Sequence, residues 1–122
     1  MAPKPLIGII DDDPSLQKAL VRLVRSFGYD ARGFASAEEF LQSGSMSSCS
    51  CIVTDIQMPG MSGIDLKRLM DEQGCSVPVI MITARTEPEL EHTARASGAH
   101  CFLRKPLETD LLMDCLTRAL EV

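Results

Sequence analysis

The chain has 122 residues and a formal net charge of −5. That length suits one compact domain whose core needs no disulfide or metal staple. The acidic balance argues against gripping nucleic acid or an anionic membrane, and no apolar run approaches the roughly twenty residues that span a bilayer.

Five cysteines stand at positions 49, 51, 75, 101 and 115. An odd count, no signal peptide and no framework spacing point to reduced thiols in a cytoplasmic protein. Cys49 and Cys51 form a lone C-x-C without a second ligand pair, which does not make a zinc site.

In chain order, Leu6-Ile7-Gly8-Ile9-Ile10 reads as a buried strand. Asp13-Pro14 opens a helix with Pro at its first position, and Leu16, Leu20, Leu23, Val24 and Phe27 repeat at helical spacing until Gly28. Tyr29 to Phe34 is a second, weaker strand. Ser36-Ala37-Glu38-Glu39 reads as a capping box opening a short helix through Phe40 and Leu41. Ser43 to Ser50 is small and polar, a loop. Cys51 to Thr54 is a third strand. Met58-Pro59-Gly60-Met61-Ser62-Gly63 is rich in breakers, and Ser62 can cap a helix carrying Ile64, Leu66, Leu69 and Met70. Val77 to Ile82 is a fourth strand. Thr86-Glu87-Pro88-Glu89 reads as another capping box, opening a helix to about Ser97 in which Leu90 is the main large apolar residue. His100 to Leu103 is a fifth strand, and Glu108 to Glu121 a last helix with Leu112, Cys115, Leu116 and Ala119 on one face. The first, third and fourth strands lack polar alternation, as in a parallel sheet covered on both faces, and right-handed crossovers make it a doubly wound α/β domain. A single domain, residues 1–122, is expected.

Polar residues follow the apolar strands at matching places. Asp11-Asp12-Asp13 follows the first, Asp55 the third, Thr83 the fourth and Arg104-Lys105-Pro106 the fifth. Ligands of doubly wound sheets bind outside the carboxyl ends of the strands, so these four regions converge on one rim. Carboxylates at Asp11, Asp12 and Asp55 repel one another and need a cation, and an all-oxygen set favours Mg²⁺ or a similar hard ion. An Asp carboxylate can be a nucleophile toward phosphorus, with Lys105 and Thr83 holding the transferring oxygens.

Ile10-Asp11-Asp12-Asp13, Thr54-Asp55-Ile56-Gln57-Met58-Pro59-Gly60-Met61-Ser62-Gly63, Ile82-Thr83-Ala84 and Lys105-Pro106 together resemble the receiver domains of two-component response regulators over essentially the whole chain. The resemblance implies a flavodoxin-like (βα)5 fold of strand order 2-1-3-4-5 and a signalling switch rather than a conventional enzyme. It implies Asp55 as phosphoacceptor and Mg²⁺ on Asp12, Asp55 and the Gln57 backbone carbonyl, with Asp11 acting through water. It further implies Lys105 and Thr83 on the phosphoryl group and a cis Lys105–Pro106 bond. Phe102, three residues before Lys105, is either a switch aromatic paired with Thr83 or a plain core side chain. Gln57 and Arg85 fall where family members border the path of attacking water. The implied partners are a sensor histidine kinase or histidine phosphotransfer protein docking near the first helix, and a downstream target or output domain. The helix-strand-helix face from Glu87 to Val122 is a candidate dimer or target surface. His92 and His100 lie away from the acidic cluster and are not expected to accept phosphate.

The bland readings are helix capping for the first acids, a loop acid for Asp55 and a surface charge for Lys105. Asp13 alone is well placed to cap, and the other residues gain weight from their shared rim. Three other functions compete. Asp11-Asp12-Asp13-Pro14-Ser15 loosely fits the D-x-D-x-[TS] pattern of Mg²⁺-dependent phosphatases with Asp11 as nucleophile, but leaves no room for a cap domain. A flavodoxin-like nucleotide binder would need a Gly- or Ser-rich cradle after the first strand. A receiver-like module that ignores phosphate would not need the full acid, Thr and Lys set. The chain is expected to be either a stand-alone regulator or the N-terminal part of a longer one.

Overall fold

The computed structural model describes residues 4–121. Five strands and five α-helices alternate: β1 (Leu6–Ile10), α1 (Pro14–Ser26), β2 (Asp30–Phe34), α2 (Ala37–Gln42), β3 (Cys51–Asp55), α3 (Gly63–Glu72), β4 (Val79–Thr83), α4 (Pro88–Ala96), β5 (Cys101–Arg104) and α5 (Thr109–Ala119). The strands form one parallel sheet in the order β2-β1-β3-β4-β5, as expected.

The pleat divides the strand side chains between two cores. Ile7, Ile9, Val53, Ile80 and Ile82 pack with Leu20 and Val24 of α1 and Leu112, Cys115 and Leu116 of α5. On the other face Ile10, Ile52, Met81 and Phe102 pack with Phe40 of α2, Leu66 and Met70 of α3 and Ala94 of α4. Every residue of β3 and β4 is buried, which explains their unbroken apolar runs. Each fully buried Ile, Leu or Phe contributes about 1.5–3 kcal/mol from the water it leaves. Phe34 and Phe40 meet edge to face, centroids 5.2 Å apart, tying α2 to the edge strand. Cys49, Cys51, Cys101 and Cys115 are buried free thiols, and Cys75 is partly exposed.

The helix starts show which local signals the backbone uses. Asp13 caps α1 by accepting from the amides of Ser15 and Leu16, with Pro14 at the first turn. Ser62 and Asp65 form a reciprocal capping box on α3. At α2 Ser36 accepts from the Glu39 amide, but the Glu39 carboxylate reaches the Ala35 amide instead of closing the box. The expected box at Thr86 does not form. Glu87 is the N-cap of α4 and offers no side-chain bond, and Pro88, which has no N–H and a preset φ, starts the helix.

Other bounds also differ from expectation. β4 begins at Val79 rather than Val77, because Pro78 has no N–H for the ladder. The loop from Ser43 to Ser50 contains a 3₁₀ turn at Met46–Ser48. Val122, at the end of the proposed interaction face, lies outside the described residues.

Candidate phosphoacceptor site

β1, β3, β4 and β5 end along one rim, and each end delivers a polar group. Asp11 immediately follows β1. It is fully buried, and its own amide donates to the Phe34 carbonyl at 3.1 Å, so the chain leaves the strand with its side chain fixed. Its Oδ1 accepts from the Asp13 amide at 2.9 Å. Asp55 is the last residue of β3 and Thr83 the last of β4, and both are buried. Lys105 follows β5, its amide donating to the Thr83 carbonyl at 2.8 Å, with a cis bond to Pro106.

Lys105 Nζ stands between two carboxylates, 3.2 Å from Asp11 Oδ2 and 3.3 Å from Asp55 Oδ2. Asp12, exposed beside them, completes a set of three carboxylates whose nearest oxygens all lie within 4.8 Å of one another. Asp11 and Asp12, Asp55 and Lys105, from three separate stretches of the sequence, are thus brought together. The Gln57 amide donates to Asp55 Oδ1 at 3.4 Å, placing that peptide beside the nucleophile candidate. The Thr83 hydroxyl accepts from the Arg85 amide at 3.0 Å.

Burial pushes the Asp55 carboxyl above the usual carboxylate range. Lys105 and the Gln57 amide oppose the rise, and the Asp11 charge adds to it. Burial draws the Lys105 ammonium down, yet Asp55 and Asp11 together outweigh it and hold its pKa above that of an ordinary lysine. The lysine thus stands as the cation shared by two acids.

The all-oxygen donor set fits a hard divalent cation. One oxygen from each of Asp11, Asp12 and Asp55 lies within 4.8 Å of the others, a grouping suited to the compact oxygen shell that such an ion takes. Within the chain, Lys105 supplies the counter-charge to two of these acids.

Two glycines let the loop after β3 pass close to this rim. A Cβ on Gly63 would lie 2.6 Å from the Asp55 carbonyl oxygen, a backbone atom that cannot swing aside. Gly60 has φ +78°, and its position faces the Glu38 carboxylate, which also accepts from the Met61 amide at 2.8 Å. Glu38 and Gln17, whose Nε2 donates to the Asp11 carbonyl at 3.2 Å, support the rim without having been expected to. Long-range side chain-to-backbone bonds leave no periodic trace in a sequence. His92 and His100 are both exposed, and neither belongs to the carboxylate cluster. Phe102 is buried in the α4-side core with the Arg104 guanidinium 5.1 Å from its ring centroid.

A model of the response regulator receiver domain matches residues 7–117. The chain belongs to that family. This receiver domain is 36% identical over 117 residues to the response regulator protein TodT of Pseudomonas putida, covering 96% of this chain and 52% of that protein. It is 34% identical over 118 residues to nodulation protein W of Bradyrhizobium diazoefficiens, covering 97% and 52%. Among solved structures it superposes on FixJ-N with a TM-score of 0.87 at 28% identity, covering 98% of this chain and 95% of that one. A receiver protein from Burkholderia phymatum gives 0.83 at 39% identity, covering 96% and 95%. The receiver domain spans about half the length of these curated relatives. Among the described residues, no helix is long and apolar enough to cross a membrane.

Proposed function

We propose that this receiver domain accepts a phosphoryl group on Asp55 from the phosphohistidine of a sensor histidine kinase or histidine phosphotransfer protein, with Mg²⁺ on Asp11, Asp12, Asp55 and the Gln57 carbonyl. The observation that carries the reading is Lys105 Nζ shared between Asp11 and Asp55, 3.2 and 3.3 Å away, at the rim where the strand ends converge. When bound, Mg²⁺ would neutralise the crowded carboxylates and the phosphoryl oxygens.

Asp55 supplies the attacking oxygen. Its new O–P bond forms as the P–N bond to the donor imidazole breaks, and the imidazole leaves with its electron pair and takes a proton from solvent. Lys105 gives one of its carboxylate contacts to the incoming phosphoryl oxygens, and Thr83 donates its hydroxyl to another. Water later cleaves the acyl phosphate, restoring Asp55. Gln57 and Arg85, two residues after Asp55 and Thr83, border that approach. Arg85 is exposed, and the groove it lines with Gln57, Glu87, Glu89, Leu90 and Thr93 opens toward α4.

Phosphorylation would then shift a two-state equilibrium. Thr83 and Phe102 are the proposed switch pair. The face formed by α4, β5 and α5 is the proposed output surface, toward a partner protein, a further domain or a second copy. The thin anchorage of α4, with Ala94 as its single fully buried residue, supports its choice as the moving helix.

The competing phosphatase reading makes Asp11 the nucleophile. Asp11 is fully buried, with one oxygen bound to the Asp13 amide and the other to Lys105, whereas Asp55 retains some exposure, which favours Asp55 as the nucleophile. The test is incubation with acetyl phosphate and Mg²⁺ followed by intact mass. A single phosphoryl adduct is expected, absent in Asp55→Ala and retained in Ser62→Ala. An adduct that survives Asp55→Ala would sink the assignment.

A further inference from the structure

Arg104, the last residue of β5, makes three contacts that join three different elements. Its Nη1 donates to the Arg85 carbonyl at 2.6 Å, in the loop between β4 and α4. Its Nη2 donates to the Glu91 carboxylate at 3.3 Å, on α4. Its guanidinium also covers the Phe102 ring within the same strand, 5.1 Å from the centroid. Glu91 is held from its own helix by Arg95 at 2.9 Å, and Arg85 pairs with Glu87 at 3.3 Å, so both anchors are themselves oriented. The planar fork of arginine makes such a two-point hold directional in a way a lysine ammonium does not.

The hold is continuous with the phosphoacceptor rim. The Arg85 amide donates to the Thr83 hydroxyl, and the same residue's carbonyl receives Arg104. Any shift of Thr83 toward Asp55 either gives up the Arg85 amide or draws that residue's backbone along with it. In both cases the geometry that Arg104 reads is altered. α4 is thinly anchored, with Ala94 alone fully buried and Leu90 partly buried against the core.

Resting on Asp55 as phosphoacceptor, we propose that Arg104 is a positioning residue: it clasps the β4–α4 loop and α4 against β5 over Phe102, and filling the Asp55 site loosens the clasp. The clasp therefore opposes the activated conformation and sets how readily the domain leaves its resting form. It acts on the equilibrium and touches no reacting atom.

The experiment uses beryllofluoride with saturating Mg²⁺ as the phosphoryl mimic, titrated into wild type, Arg104→Ala and Glu91→Gln while backbone amide spectra are recorded. The Arg104 and Glu91 side chains both reach the surface, and Glu91→Gln preserves size should Arg104→Ala not fold. Arg104→Ala is expected to bind the mimic about three- to tenfold more tightly, a coupling at the lower end of what linked sites show. Glu91→Gln is expected to move the same way by a smaller factor. In the free variants, the amide signals of residues 84–96 are expected to lie displaced from wild type toward their mimic-bound positions. Wild-type binding combined with unchanged or weaker binding in both variants overturns the clasp alone. A wild type that does not bind the mimic overturns the phosphoacceptor reading, and the coupling with it.

Discussion

Lys105 is the residue on which the electrostatics of the rim turn. Asp11 is wholly enclosed and the Asp55 side chain is 8% exposed, so neither carboxylate is well solvated, and their mutual repulsion is offset by one ammonium in contact with both. Removing one partner of a buried ionic group costs far more than the group's net worth, because the remaining charges lose their compensation. Lys105→Met should therefore lower stability by about 3 kcal/mol in metal-free buffer, as read from the urea midpoint. Mg²⁺ should restore part of that loss, since a second cation then faces the same acids. A metal-free midpoint equal to wild type would mean that the two acids are not both charged in the native state.

The elements explain both what the sequence disclosed and what it hid. Strand ends were legible because β1, β3 and β4 are apolar runs cut off by Asp11, Asp55 and Thr83, and the parallel sheet lines those interruptions up. Helix starts were legible where a cap residue had no competitor, as at Asp13 and Ser62. At Thr86 the pattern misled, because Pro88 already begins the helix one residue beyond Glu87. Nothing in the spacing of Arg104, Arg85 and Glu91 announces their contact, which depends on side-chain reach across β5 and α4. The junction of β3 and α3 separates two local effects cleanly. Ser62→Ala removes a cap and should cost about 1 kcal/mol with phosphorylation little changed. Gly63→Ala forces a methyl group to within 2.6 Å of the Asp55 carbonyl. It should cost about 1–3 kcal/mol, as overpacking does, and also slow adduct formation from acetyl phosphate. Equal phosphorylation rates in the two variants would show that this backbone approach is unrelated to the placement of Asp55.

At the scale of the whole molecule, the sheet concentrates like charges where folding alone would avoid them. The two cores bury apolar side chains on both faces, while the rim gathers three carboxylates, two of them in contact with one lysine. Burial and Asp11 raise the pKa of Asp55 despite Lys105, so the charged form of that carboxylate is disfavoured by the fold. Such a group lowers stability at neutral pH, and the cost is relieved when the carboxylate is neutralised or a cation binds. Asp55→Asn should accordingly raise the thermal midpoint of the metal-free protein, because the amide keeps the shape and removes the charge. Wild type should gain stability with Mg²⁺ by mass action, about 1.4 kcal/mol at a free concentration ten times the dissociation constant. For a domain of this size that is on the order of 5 °C. The increment should shrink sharply in Asp55→Asn and in Asp12→Asn, since each removes a carboxylate from the proposed cation site. Differential scanning calorimetry with and without Mg²⁺ on the three proteins checks both halves of the argument. A metal-free Asp55→Asn that melts below wild type would show that the Lys105 pairing outweighs the crowding. A full Mg²⁺ increment retained in both variants would place the cation somewhere other than this rim.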